Sequence, residues 1–314
     1  MQVRAILVAV ADPIARAQPA FERAADIAAS FNSRIVLFHA AFDSALSGRP
    51  FFDSKRLAKS RGWYIDDRTR ALEARAAKLK RLGLRADVCV TWEEPTHEAI
   101  VRAALREGAD LVIVGRHERR KDSPQLRLTD WELMRMCPRP LLVTRSSAAI
   151  GTSGIVLAAL DPVHSNDKPA TLDIAIASHA TAFAQALRLD CHAAHFIRSS
   201  SYPLSESVAG RRRVQEQIST RMKRVMKRAG AAAAPVHVLQ GDVAADLPAL
   251  TRKLGARMLV MGIISRRGLK RLVIGDTAES IISAASCDIL LIKPEGFRLR
   301  LGKSRKESFI LPGK

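Results

Sequence analysis

The sequence predicts an α/β protein built as two tandem doubly wound domains, each with a five-stranded parallel sheet. Three observations carry this reading: short runs that are apolar on both faces, segments of helical period between them, and landmarks that recur at a spacing of about 150 residues. A half-exposed strand alternates apolar and polar residues, whereas a strand covered on both faces reads as an unbroken apolar run, the property of a parallel sheet. In the first half such runs fall at Ile6 to Ala11, Arg34 to His39, Asp87 to Thr91, Leu111 to Val114 and Pro140 to Val143. The second half offers Ile155 to Leu160, Leu189 to Phe196, Pro235 to Leu239, Met258 to Met261 and Ile289 to Ile292. Five strands separated by helices imply crossover connections and hence the doubly wound arrangement.

The recurrence is ordered. Ile6-Leu-Val-Ala-Val-Ala-Asp12-Pro13 answers to Ile155-Val-Leu-Ala-Ala-Leu-Asp161-Pro162, and Gly108-Ala-Asp-Leu-Val-Ile-Val-Gly115 answers to Gly255-Ala-Arg-Met-Leu-Val-Met-Gly262. Cys137 followed by Pro140-Leu-Leu-Val143 answers to Cys287 followed by Ile289-Leu-Leu-Ile292. Solenoid units are about 20–50 residues long, so a repeat of this length is a duplicated domain. The expected division is residues 1–146 and 152–296, joined through the small, polar stretch Ser146 to Gly154, with a basic tail over 297–314. That tail carries Arg298, Arg300, Lys303, Arg305 and Lys306.

Composition narrows the class. With 47% hydrophobic and 26% charged residues the chain has a globular balance, and 5% aromatic residues argue against a stacking surface for bases. The longest apolar runs, such as Leu111 to Val114, fall far short of the roughly 20 residues a membrane-spanning helix needs. Ile6 to Ala11 is too brief for the apolar region of a signal peptide and runs into Asp12-Pro13 without a cleavage site. Cys89, Cys137, Cys191 and Cys287 form no CxxC pair, so neither a disulfide framework nor a zinc knuckle is suggested, and a reducing cytoplasm is the expected location.

Lys and Arg number 51 against 31 Asp and Glu, a net charge of +20 that makes polyanions a reasonable class of partner. Much of this excess sits on one helix. Val214, Ile218, Met222 and Val225 recur at helical spacing, while Arg212, Arg213, Arg221, Lys223, Arg224, Lys227 and Arg228 occupy the other faces. An amphipathic helix covering the sheet explains the pattern, with a polyanion-binding or membrane-surface helix as the alternative.

In an open parallel sheet, ligands collect beyond the carboxyl ends of the strands where strand order reverses. That directs attention to Asp161, after the first strand of the second half, and to the loop from Gly262 to Thr277, after its fourth. A glycine after a buried strand lets backbone amides approach phosphate oxygens, and a glycine before a helix start offers that helix N-terminus to an anion. Arg266, Arg267, Lys270 and Arg271 supply charge-assisted contacts from the same loop.

On these residues the chain resembles the universal stress protein family, over both halves and nearly its whole length. The family's ATP-binding members carry an aspartate that closes the first strand near adenine. They also carry a loop of glycine, two residues, glycine, nine residues, then glycine followed by Ser or Thr. Here Asp161, Gly262 and Gly275 match, Ser265 replaces the second glycine, and Asp276 stands at the hydroxyl position. The resemblance therefore implies ATP with magnesium at a site of Asp161, Gly262, Ser265, Arg266, Gly268, Gly275, Asp276 and Thr277. A carboxylate at 276 repels phosphate, by about 1 kcal/mol in water and about 4 kcal/mol at an effective dielectric near 20 for charges about 4 Å apart. Magnesium or the nearby arginines offset that repulsion; the alternative role for Asp276 is to cap a helix beginning near Thr277.

The first half departs further from the pattern. Gly115 is followed by Arg116-His117-Glu118-Arg119-Arg120-Lys121 and Pro124 with no glycine before the linker, so this domain reads as structural. Its segment Thr129-Asp130-Trp131 to Cys137-Pro138-Arg-Pro140, and the ending Cys287 to Phe297, resemble the tandem, E-type branch of the family. The resemblance also implies pairing of the two halves within one chain through their final strands, and a homodimer is a further expectation. Cys191-His192-Ala-Ala-His195 invites a metal, yet His192 and His195 are three apart on a strand and point to opposite faces. No Gly-x-Ser-x-Gly elbow, HExxH or Walker lysine loop supports an enzyme, and His117 with Glu118 reads as a solvated loop rather than an acid–base pair. The function expected is a non-enzymatic stress-response protein with a nucleotide site in its second domain. A binder of nucleic acid or acidic lipid through the basic helix and tail is one alternative, and a slow ATPase the other.

Overall fold

Each apolar run becomes a strand in the computed structural model of the chain, which describes residues 2–16, 18–47, 54–115, 124–145, 150–151, 153–163, 169–197, 207–264, 275–297 and 301. The first half runs β1 (Ala5–Ala9), α1 (Pro19–Phe31), β2 (Arg34–Ala40), α2 (Ser54–Arg81), β3 (Arg85–Thr91), α3 (Thr96–Arg106), β4 (Leu111–Gly115), α4 (Pro124–Met136) and β5 (Leu141–Thr144). The second repeats the order as β6 (Ile155–Ala159), α5 (Ala170–Leu187), β7 (Asp190–Ile197), α6 (Val208–Arg228), β8 (Val236–Gln240), α7 (Val243–Lys253), β9 (Ala256–Gly262), α8 (Asp276–Ala284) and β10 (Asp288–Ile292). Local chemistry fixes the helix ends. Pro19 opens α1, where its preset φ suits the first turn, and Asn32 closes it in the left-handed region at φ 54°. Asp242 caps α7 by accepting hydrogen bonds from the backbone N–H of Ala244 and Ala245.

The chain divides into two compact units whose main bodies are Val3–Arg139 and Pro140–Arg298. In the first, four parallel strands lie in the order β3-β2-β1-β4. In the second the order is β5-β10-β9-β6-β7-β8, with the last five parallel. Strand β5, which ends the first repeat, runs antiparallel to β10, pairing Val143 with Ile289 and Leu141 with Leu291. The backbone N–H of Arg145 extends this edge by donating to the buried carboxyl of Asp288 at 3.1 Å. In terms of packing, β5 thus belongs with the strands of the second unit.

Continuous apolar runs become strands sealed on both faces. Ile6, Leu7 and Val8 of β1, and Val156, Leu157 and Ala158 of β6, are fully buried. Register refines the internal alignment. Ile6 lies opposite Leu111, four residues before Gly115, and Val156 lies opposite Met258, four residues before Gly262. Ile6 therefore corresponds to Val156, not Ile155, and counting five residues on from each places Ala11 opposite Asp161. The apparent match of Asp12 with Asp161 is displaced by one residue. Asp12 instead accepts a hydrogen bond from the Ile14 N–H at 2.9 Å, an Asx turn that occupies its side chain locally.

Strand order reverses between β1 and β4 in one unit and between β6 and β9 in the other. At the second of these points Gly262 ends β9 beneath α5. A Cβ built at Gly262 would stand 2.9 Å from Leu172 Cδ2 and 3.1 Å from Ile176 Cδ1, both on fully buried residues of α5. Packing of helix on strand thus accounts for this glycine by itself. Gly275, which precedes α8, has φ −68°, and among the described residues no atom comes within 4 Å of where a Cβ would go. The two glycines should respond differently to substitution. Gly262→Val is expected to cost about 1–3 kcal/mol by overpacking, and Gly275→Ser to hold or raise stability by a few tenths of a kcal/mol as a better helix cap; urea denaturation midpoints compare the two.

Candidate functional site

Asp161 follows β6 and Gly262 ends its neighbour β9, so the two lie past the carboxyl ends of adjacent parallel strands. What fixes Asp161 is a residue that sequence reasoning missed. Asp173, buried on the first turn of α5, accepts the backbone N–H of Asp161 at 3.0 Å. The amino end of a helix favours a carboxyl group there, and the hydrogen bond ties the strand end to the helix that covers it. Asp161 itself is half-buried. Across the loop, Gly275 is the N-cap of α8 and Asp276 its first residue, with the Glu279 N–H donating to the Gly275 carbonyl at 3.1 Å. The expected cap at Asp276 is therefore one residue late: the helix starts at Asp276, and its exposed carboxylate acts on the helix dipole from the first turn. Thr277 is half-buried in the same turn. Ser265, Arg266 and Gly268, with Arg267, Lys270 and Arg271, lie outside the described residues.

In the first unit an aromatic cluster packs after β3. Trp92 follows β3 and is 6% exposed, packed with Ala41, Ile65, Phe42 and Tyr64. The Phe42 and Trp92 rings are 5.5 Å apart, Tyr64 meets Trp92 edge-on at 6.2 Å, and the Arg61 guanidinium sits 5.3 Å over the indole. Aromatic pairs and a cation over a ring each contribute about 0.5–1.5 kcal/mol beyond area burial. Arg75 of α2 donates to the Pro13 carbonyl at 3.0 Å, which fastens the turn after β1. Residues 116–123, including His117 and Glu118, lie outside the described residues.

Both units share one further tie. His39 of β2 bonds the Val10 carbonyl through Nδ1 at 2.8 Å, and His195 of β7 bonds the Leu160 carbonyl at 3.0 Å. A carbonyl only accepts, so each Nδ1 carries the proton. The two histidines occupy matching places in the repeat, a signal that an alignment of the halves could have found. His192, on the other face of β7, pairs instead with His237 of β8, Nδ1 to Nε2 at 3.1 Å. No group of three or more His, Cys, Asp or Glu suited to a metal ion occurs among the described residues. All four cysteines are free; burial raises the Cys89 and Cys191 thiols, and burial with the neighbouring Asp288 pushes Cys287 up to about 11. Such a thiol stays protonated and unreactive at neutral pH.

Two sets of parallel strands wound this way define a duplicated doubly wound α/β fold. Residues 2–145 and 154–293 each match the universal stress protein family, and the chain belongs to that family as a tandem, E-type member. It is 25% identical over 310 residues to Universal stress protein E of Escherichia coli K12, covering 93% of this chain and 95% of that one. The relative of the same description in Photorhabdus laumondii is 24% identical over 313 residues, covering 96% and 98%. Among solved structures, a Pseudomonas aeruginosa protein of unknown function aligns at TM-score 0.69 and 25% identity over 93% of both chains. A universal stress protein of Archaeoglobus fulgidus aligns at TM-score 0.64 and 16% identity over 93% of this chain and 99% of that one, a likeness of fold. No helix among the described residues is long and apolar enough to cross a membrane.

The strand-end histidine gives the first unit a pH dependence. Burial lowers the His39 pKa, opposed by its bond to Val10 and aided by Arg68; burial also lowers His97, His192 and His237. The folded chain thus favours the neutral rings, and on acidification the unfolded chain takes up these protons first. Stability is full above the ordinary histidine pKa of about 6.5 and is lost as pH falls below it, by at most about 1.4 kcal/mol per pH unit for each group. The urea midpoint should fall between about pH 7.5 and 5.5, and fall less in His39→Asn, which keeps a donor toward Val10 but does not titrate. Identical pH slopes in parent and variant would remove His39 from this account.

Proposed function

We propose that the chain is a non-enzymatic, cytoplasmic binding protein whose second repeat takes an adenine nucleotide, ATP with magnesium, beyond the carboxyl ends of β6 and β9. The observation that carries this reading is the reversal of strand order between those two strands, the place where doubly wound sheets receive ligands. Asp161 and Gly262 stand at that place, and Asp173 holds the first of them. The helix after the loop begins just past Gly275, and its first backbone N–H groups favour a phosphate at the amino end. Magnesium keeps several waters and is bound through one or two carboxylates plus the phosphates, so the exposed carboxylate of Asp276 fits as a hard oxygen donor. In that role it draws the metal rather than repelling the phosphate.

Isothermal titration of the full chain with Mg-ATP tests the proposal. Saturable heat below millimolar ligand is expected. Gly275→Asp keeps a good helix cap while adding a negative charge beside the phosphates, so it should weaken binding by at least about tenfold without lowering the melting temperature. An absence of heat at millimolar Mg-ATP would sink the nucleotide reading. Phosphate release above the rate in Gly275→Asp would replace a binding protein with a slow ATPase.

A further inference from the structure

The charge of this chain is unevenly compensated. In the first unit many cations are matched: Arg34 with Asp87 at 3.1 Å, Arg68 with Asp67 at 2.6 Å, Arg135 with Glu132 at 2.8 Å, and Arg102 with both Glu93 and Glu98. Helix α6 is different. Its 21 residues carry six arginines and two lysines against a single acid, Glu216, which is engaged by Arg212 at 3.3 Å. Among the described residues no carboxylate pairs with Arg213, Arg221, Arg224 or Arg228, all exposed.

These four form a row. Separations of 8, 3 and 4 residues, at 100° each, confine them to about 80° of the helix circumference, over about 22 Å of its length. The opposite face is fixed: Ile218, Met222 and Met226 are buried, and Gln215 Nε2 donates to the Val238 carbonyl of β8 at 2.6 Å. The helix therefore cannot roll, and the row points outward from a rigid element. Arg213, Arg221 and Arg224, with Glu216, Gln217 and Thr220, line a surface depression of about 470 Å³.

We propose that α6 is a docking surface for the phosphodiester backbone of a duplex nucleic acid. Three observations favour that partner. The row is arginine rather than lysine, and the guanidinium fork matches phosphate oxygens. A duplex presents about one charge per 1.7 Å of axis in a stiff, regularly repeating array, which a fixed row about 22 Å long can follow. A membrane-surface helix needs large apolar side chains on its outer face, and of the large apolar side chains of α6 only Val208, at its start, is exposed. The row holds no aromatic residue on which a base could stack, so binding follows the backbone and is indifferent to sequence.

Fluorescence anisotropy of the full chain with labelled 20-base-pair duplexes of scrambled sequence, DNA and RNA in separate arms, tests this across a salt series. Binding to either duplex is expected, with log affinity falling against log salt at a slope of about −4 or steeper. Replacing all four arginines, Arg213→Gln, Arg221→Gln, Arg224→Gln and Arg228→Gln, should weaken binding at least about tenfold at about 0.1 M salt and flatten the slope by about 3–4. Arg221→Gln alone should flatten it by about 1, which keeps the test available if the quadruple variant melts early. The proposal is overturned by variants that bind like the parent, by loss of binding only when the basic residues of the 297–314 tail are replaced, or by binding to phosphatidylserine vesicles without binding to duplexes. Displacement of the duplex by polyglutamate at equal charge concentration would also overturn it. These side chains belong to no part of the nucleotide reading, so either proposal can fail alone.

Discussion

The direct approach of α5 to the end of β9 is the constraint on which the second repeat depends. A bare Cα at position 262 lets Leu172 and Ile176 lie against the strand, and that contact sets how far α5 reaches over the switch point. Asp173, which directly follows Leu172 in the first turn of the same helix, then accepts the backbone N–H of Asp161. The ends of β6 and β9 and the start of α5, with Asp161 and Gly262, are thus tied together by one packing contact and one hydrogen bond. The glycine that resembles a phosphate-loop residue has a packing role that would persist in the absence of any ligand.

Duplication has given the two repeats the same scaffold and different chemistry at its mouth. The shared part is physical: four or five buried parallel strands, helices on both faces, and a histidine on the second strand that ties down the turn after the first. The divergent part is what occupies the space beyond the strands. In the first repeat Trp92 and its aromatic neighbours pack after β3, and Arg75 fastens the turn after β1. In the second, Asp161 and the start of α8 leave polar groups there. A single scaffold thus carries different residues at its strand ends, as expected when function resides in sites grafted on a common architecture.

The net charge of +20 acquires meaning only when it is placed. Surface ion pairs contribute little to stability, typically about 0–1 kcal/mol, so pairing in the first unit is mainly a statement about which charges are already spoken for. On α6 the buried face is committed to the sheet and the outward arginines are left to water, where charge acts on partners rather than on the fold.

By itself the sequence determined the class of fold, nearly every strand, and the α6 helix, because burial on both faces leaves a continuous apolar run and a surface helix leaves a 3.6-residue period. It also located the switch-point residues Asp161 and Gly262, since these follow directly from strand order. It misplaced what depends on register: the one-residue offset between Asp12 and Asp161, and the start of α8 at Asp276 rather than Thr277. Only the tertiary structure decided that β5 pairs with β10, that Gly262 is crowded by α5, and that Asp173, His39 and His195 hold the strand ends. Those contacts join residues 12 to 150 positions apart, and separations of that kind leave no periodic trace in a chain; they exist once helices have been laid against a sheet.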